Sequence, residues 1–262
     1  MDAPQIAFFR ASVYSHSGGT NMKYKAAIFD MDGTILNTLE DLAASTNAAL
    51  QKNGLPARTL GDIRKFVGNG IRRLIERAVP PETDGALVGT VFSDFKAHYA
   101  VHCADRTKPY GGIPELLKKL KAAGIRTAVV SNKADFAVQT LAEAYFSGLL
   151  DAAAGAKDGA RIKPAPDAVN AVLAEFGCAP QDAVYIGDSD VDIQTARNAG
   201  TDCISVCWGF RSRAFLLENG ARQIAETVAE LESLLFQENG SRREGRKLRQ
   251  GGGEGASFPN QN

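Results

Sequence analysis

The run Ala26-Ala27-Ile28-Phe29-Asp30-Met31-Asp32-Gly33-Thr34 passes from four apolar residues straight into two acids and a glycine. An apolar run closed by a turn-forming glycine reads as a buried strand ending at a loop. In open α/β sheets, ligands bind in the crevice beyond the carboxyl ends of the strands, so Asp30 and Asp32 stand where chemistry is done. Two readings follow. Either the acids only bond nearby amides in an Asp-Gly turn, or they converge on a divalent cation and one carboxylate serves as a nucleophile. A calcium loop is set aside, because Gly33 follows Asp32 directly where that loop needs a further Asp or Asn.

Downstream, strands and helices alternate. Ile125 to Val130 delivers Ser131-Asn132-Lys133, Lys163-Pro164-Ala165-Pro166 precedes a helix from Asp167 to Phe176, and Ala183 to Ile186 delivers Gly187-Asp188-Ser189-Asp190-Val191-Asp192. Cys203 to Cys207 reads as a further strand and Glu226 to Phe236 as a closing helix. This rhythm predicts an α/β fold with a doubly wound, Rossmann-like parallel sheet.

Residues 39–105 break the rhythm. Apolar residues recur there at three- and four-residue steps, interrupted at Gly54-Leu55-Pro56, Gly68-Asn69-Gly70 and Pro80-Pro81, with no strand-like alternation. The segment reads as an all-helical insertion into a core formed by 23–38 and 106–236. Gly68-Asn69-Gly70 followed by Arg72 and Arg73 offers backbone amides and guanidiniums suited to an anionic substrate group, or equally a helix break with a solvated basic face. His98 and His102 share a helix face, but no third ligand accompanies them.

The polar groups at the strand ends match the needs of phosphoryl transfer through an aspartyl intermediate. Asp30 is the nucleophile of that reading, and Asp32 the acid and then base. Ser131 and the Asn132 amide donate to phosphoryl oxygens, and Lys163 supplies fixed positive charge. Asp188 and Asp192 add carboxylates for an Mg²⁺ site with Asp30. Taken singly, each has a plainer alternative: a helix cap for Ser131-Asn132, a surface lysine for Lys163, and an acidic first helical turn for Asp188 to Asp192.

In their order and spacing these motifs resemble the haloacid dehalogenase-like hydrolases, over Lys23 to Phe236, with features of the phosphoglycolate phosphatases in Phe66-Val67-Gly68-Asn69-Gly70 and in Lys157 to Pro166. The resemblance implies that 39–105 is a C1 cap that closes over the site, and that Asp30 and Asp188 bind Mg²⁺ through side chains and Asp32 through its carbonyl, with Asp192 in support. Met31, Gly33, Thr34, Asn132 and Lys133 are expected around the phosphoryl group, and from the cap Asn69 is expected beside the substrate with Arg72 or Lys65 reaching its carboxylate. Asp32 argues for a phosphatase rather than a metal-independent dehalogenase. Ser131 departs from the Thr frequent at its position, which keeps the hydroxyl. A phosphosugar mutase, a phosphonatase with a cap lysine (Lys52, Lys65 or Lys96) and a non-catalytic binding protein are the alternatives.

Composition narrows the rest. A formal net charge of zero and a pI near 6.8 over 262 residues point away from nucleic acid. The four cysteines show no metal or disulfide spacing, and the apolar run Ile6 to Phe9 is too short for a signal or membrane segment. A cytoplasmic protein acting on a small phosphate ester, with no membrane partner, is expected. Residues 1–22 and 237–262 are expected to be disordered, since neither holds enough apolar surface to offset ordering.

Overall fold

The computed structural model describes residues 7–8 and 22–238. Its central sheet contains β1 (Ala7–Phe8), β2 (Ala26–Phe29), β5 (Arg126–Ala134), β6 (Ala152–Ala156), β7 (Ala183–Gly187), β8 (Asp202–Val206) and β9 (Ile224–Ala225) in the order β1-β6-β5-β2-β7-β8-β9. All neighbours pair in parallel except β1, which is antiparallel to β6. From β2 the later strands extend first to one side, through β5 and β6, and then to the other, through β7 to β9. The order therefore reverses beside β2, and the crevice of such a sheet lies outside the carboxyl end of that strand.

Strand β2 is continuously apolar because both of its faces are covered. Ala27 and Phe29 pack into one core with Val129, Val184 and Ile186, while Ala26 and Ile28 pack into the other with Ala128, Val130 and Tyr185. This two-residue alternation holds the register Phe29↔Val129 and Phe29↔Ile186, which brings the residues after all three strands to one edge.

The helical insertion leaves through β3 (Leu36–Asn37) and returns through β4 (Lys108–Pro109), which pair antiparallel and tie its two ends together. Between them lie α1 (Leu39–Lys52), α2 (Leu60–Phe66), α3 (Gly70–Ala78) and α4 (Gly85–His102), with no strand among them. A capping box between Thr59 and Asp62 starts α2, and Asp84 caps α4 through the amides of Ala86 and Leu87. Helices α5 (Ile113–Ala122), α6 (Asp135–Phe146), α7 (Asp167–Phe176), α8 (Asp190–Ala199), α9 (Arg213–Glu218) and α10 (Val228–Leu235) cover the sheet. Among the described residues no helix is long and apolar enough to cross a membrane.

Both chain ends differ from the expectation of disorder where they are described. Ala7 and Phe8 pair with Ala153 and Ala152, because the open edge of β6 presents unpaired backbone groups that a short extended segment satisfies. Gln237 accepts from the Lys23 amide at 3.0 Å and Glu238 bridges Met22. The remainder of both expected tails lies outside the described residues.

Candidate active site

Asp30 follows β2 with its amide donating to Ile186 O at 2.8 Å, so the sheet ladder itself fixes its backbone. Its Oδ1 accepts from the Met31 amide at 2.7 Å and pairs with Lys163 Nζ at 3.0 Å, which sets the plane of the carboxylate. The Ser131 hydroxyl is placed to oppose part of the rise in the proton affinity of this carboxylate. Ser131-Asn132-Lys133 occupies the part of β5 where its register with β6 shifts, and all three line the cleft described below.

Asp30, Asp188 and Asp192 each bring a carboxylate oxygen within 4.8 Å of the others, and all three are buried. The loop Trp208-Gly209-Phe210 presses Asp188 into this cluster. The Phe210 amide donates to Asp188 Oδ2 at 2.6 Å, and a Cβ on either Gly33 or Gly209 would fall 2.3 Å from that oxygen. Asp192 is placed by the start of α8. Its Oδ2 accepts from the Ser189 amide and hydroxyl in a capping box, leaving Oδ1 for Lys163 at 2.7 Å.

Burial raises Asp30 to about 6, with Lys163 opposing the rise and Asp192 adding to it. Asp188 is pushed well above the usual carboxylate range by burial and by the charges of Asp192 and Asp30. Burial would lower Lys163, but Asp192 and Asp30 outweigh it and hold the ammonium charged. Lys163 also donates to Tyr185 OH at 2.9 Å, and that hydroxyl donates to Val130 O at 2.7 Å, so the lysine is aimed from below. One buried lysine against three close carboxylates leaves negative charge that a divalent cation is suited to offset. An all-oxygen donor set is what Mg²⁺ prefers, so the residues present fit that ion.

Asp32 stands apart from this cluster. Its Oδ1 accepts from Thr38 Oγ1 at 2.6 Å and from Lys133 Nζ at 2.8 Å, and Lys133 also donates to Tyr99 OH from α4. Thr38 and Lys133 thus hold Asp32 by one oxygen, on the wall of the same cleft that Asp30 and Asp188 line. Lys133 lines the cleft with Asp30 and Ser131 and is held there by Asp32 and Tyr99, and Met31 has its side chain in the core. Thr34 is buried, and its carbonyl accepts from the Trp208 indole at 3.0 Å. The Asn132 side chain donates to Lys163 O at 3.0 Å and to Gly68 O at 3.3 Å, bridging core and insertion.

A cleft enclosing about 540 Å³ of space, its open mouth included, lies between these groups and the insertion. Asp30, Asp32, Ser131 and Asp188 line it from the core, and Leu42, Val67, Gly70 and Leu74 from the insertion. None of the cap residues expected at the substrate, Asn69, Arg72 and Lys65, lines it. Arg72 pairs with Glu76 at 3.1 Å and lies over the Phe92 ring, because its place on α3 turns it outward, and Asn69 borders a neighbouring opening beside Arg73, Arg77 and Lys163. His98 and His102 engage Ser45 and Asp105 rather than a common ligand. Phe210 and Arg211 also line the cleft, and no motif marks them. Their signal was faint: a turn after a strand, with the arginine beyond it.

The family model described as haloacid dehalogenase-like hydrolase matches residues 27–206, a span that includes all four motifs. A phosphoglycolate phosphatase of Thiobacillus denitrificans is 31% identical over 211 residues, covering 79% of this chain and 93% of its own length. An N-acetylmuramic acid 6-phosphate phosphatase of Pseudomonas aeruginosa is 35% identical over 193 residues, covering 72% and 84%. Among solved structures, a protein from Lactobacillus delbrueckii subsp. bulgaricus described as a phosphoglycolate phosphatase superposes with a TM-score of 0.79 at 41% identity, covering 83% of this chain and 100% of its own. With motif order, site geometry and these likenesses in agreement, the chain belongs to the haloacid dehalogenase-like hydrolases and groups there with phosphatases.

Proposed function

We propose that the protein is a Mg²⁺-dependent phosphomonoesterase that forms a phosphoryl-aspartate on Asp30 and takes a small anionic ester of the phosphoglycolate type. The observation that carries this reading is Asp30 itself, a buried carboxylate held against Lys163 at the floor of a cleft that Asp32 and Ser131 share. In the first half-reaction an Asp30 oxygen attacks phosphorus, the bond from phosphorus to the ester oxygen breaks, and Asp32 donates a proton to the departing alkoxide. Water then attacks the phosphoryl-aspartate, Asp32 accepts its proton, and inorganic phosphate leaves with Asp30 restored. Lys163 holds positive charge beside the transferring group, and Ser131 donates to its oxygens. Thr38 and Lys133 orient Asp32 between the two roles. Mg²⁺, held by Asp30 and Asp188 with the Asp32 carbonyl and Asp192 in support, would offset the anions' mutual repulsion.

The relatives named for phosphoglycolate and for N-acetylmuramic acid 6-phosphate support a small phosphate ester as substrate. A phosphonatase would need a lysine in the cleft from the insertion. Lys52 instead pairs with Asp94, Lys96 lies over the Phe92 ring, and no lysine of α1–α4 lines the cleft among the described residues. The test is a panel of phosphate esters with purified protein. Release of inorganic phosphate that requires Mg²⁺ is expected, and no release from any ester with Mg²⁺ present removes the reading.

Thermal melting offers a second check. Asp30 binds its proton more tightly folded than unfolded, so without a cation stability falls as pH rises from 3.8 toward about 6 and does not recover above. Mg²⁺ at a hundredfold excess over its Kd should raise Tm by about 5–10 °C at neutral pH. The rise should be smaller near pH ~5, where part of the cluster is protonated. Equal shifts at both pH values, or the full shift in Asp188→Asn, would place the ion elsewhere.

A further inference from the structure

The cleft is lined by two cations, and they are differently placed. Lys133 is paired with Asp32, whereas Arg211 lies within ion-pair distance of no carboxylate among the described residues. Its position is fixed from both sides. The preceding Phe210 amide is anchored on Asp188, and Gly209 is packed against both Asp188 and Gly33 O, so the loop has little room to shift. On the other side, Nη1 donates to Arg64 O at 2.9 Å and Nη2 to Val67 O at 2.8 Å, at the end of α2 in the insertion.

A guanidinium carries five N–H donors, and these two carbonyls occupy two of them. Its other neighbours are the Phe215 ring, with Cζ 5.8 Å from the centroid, and the more distant charge of Asp188, so no carboxylate among the described residues pairs with it directly. The nearby walls from the insertion, Leu42, Val67, Ile71 and Leu74, are apolar, so an anionic tail on a bound ester would otherwise be desolvated without a partner. We infer that Arg211 reads a carboxylate on the tail of the phosphate ester, and that the same guanidinium ties this recognition to the seating of the insertion over the cleft. The planar fork suits a carboxylate better than a point charge does. Arg211 thereby takes the part expected of Arg72. This inference rests on the phosphomonoesterase reading above.

The test compares 2-phosphoglycolate with 2-hydroxyethyl phosphate, in which a hydroxymethyl group replaces the carboxylate. In Arg211→Gln the lost contacts to Arg64 and Val67 lower kcat/KM for both esters alike, so the ratio between them isolates tail recognition. That ratio is expected to fall about 10- to 100-fold, as for loss of a charge-assisted hydrogen bond. Arg211→Lys, which keeps the charge without the fork, is expected to fall about tenfold, and it decides the matter if the Gln variant does not fold. An unchanged ratio in the folded variants overturns the inference while leaving the hydrolase reading intact. A wild-type protein inactive on both esters with Mg²⁺ overturns both.

Discussion

Asp30→Asn should abolish turnover, lowering kcat by about 10⁴-fold or more, with little change in KM for a substrate held by other groups. Asn retains the shape and one acceptor oxygen, so the Met31 amide keeps a partner. It loses the charge and the nucleophilicity on which the covalent step depends. Stability should not follow activity down. Burial disfavours the ionised form of Asp30, and Asp188 and Asp192 crowd it, so removing one charge relieves a cost that the loss of the Lys163 pair only partly cancels. A melting temperature at or above wild type with turnover lost is the expected pair of results. Undiminished phosphate release would end the role given to Asp30.

How much of this was legible beforehand depends on the kind of contact. The strand ends were readable because parallel strands covered on both faces need unbroken apolar runs, so Ala26–Phe29 and Ala183–Gly187 announced the acids that follow them. Strand β6 was not, since Ala152-Ala153-Ala154-Gly155-Ala156 has little intrinsic strand preference and is extended by its pairing with β5. Gly155 is also held there by crowding, because a Cβ would lie 2.5 Å from the Asp135 backbone. The pairing of Lys133 was hidden for a related reason. Its partner Tyr99 lies far away in sequence on α4, and no local spacing encodes a contact between the insertion and a strand end. Arg72 and Arg211 make the same point in opposite directions. Basic residues beside glycines drew attention to α3, but helix geometry carried Arg72 toward Glu76 and Phe92, while a short loop pinned on Asp188 delivered Arg211 to the cleft.

Lys163→Met should be costly in both stability and rate. The ammonium is buried with Asp192 Oδ1 at 2.7 Å and Asp30 Oδ1 at 3.0 Å, and Met fills a similar volume without charge. Removing one partner of a buried ion pair leaves the other charges uncompensated, at a cost of about 3–5 kcal/mol. For a chain of this size that corresponds to a fall in Tm of about 6–20 °C. Because the orphaned carboxylates can relieve the strain by taking up protons, the deficit should shrink as pH falls toward ~5. It should also be smaller than the sum of the single effects when Asp192→Asn is added, since both substitutions act on one contact. In the variant that remains folded, kcat should drop by about 10²–10³-fold, the scale for losing one stabilising donor at a site of charge development. Lys163→Arg should not rescue it, for the larger planar fork cannot occupy the space between Tyr185, Asp30 and Asp192. A Met variant with wild-type melting at neutral pH would show that Lys163 does not offset the acid cluster, and the electrostatic account of the site would have to be rebuilt around another cation.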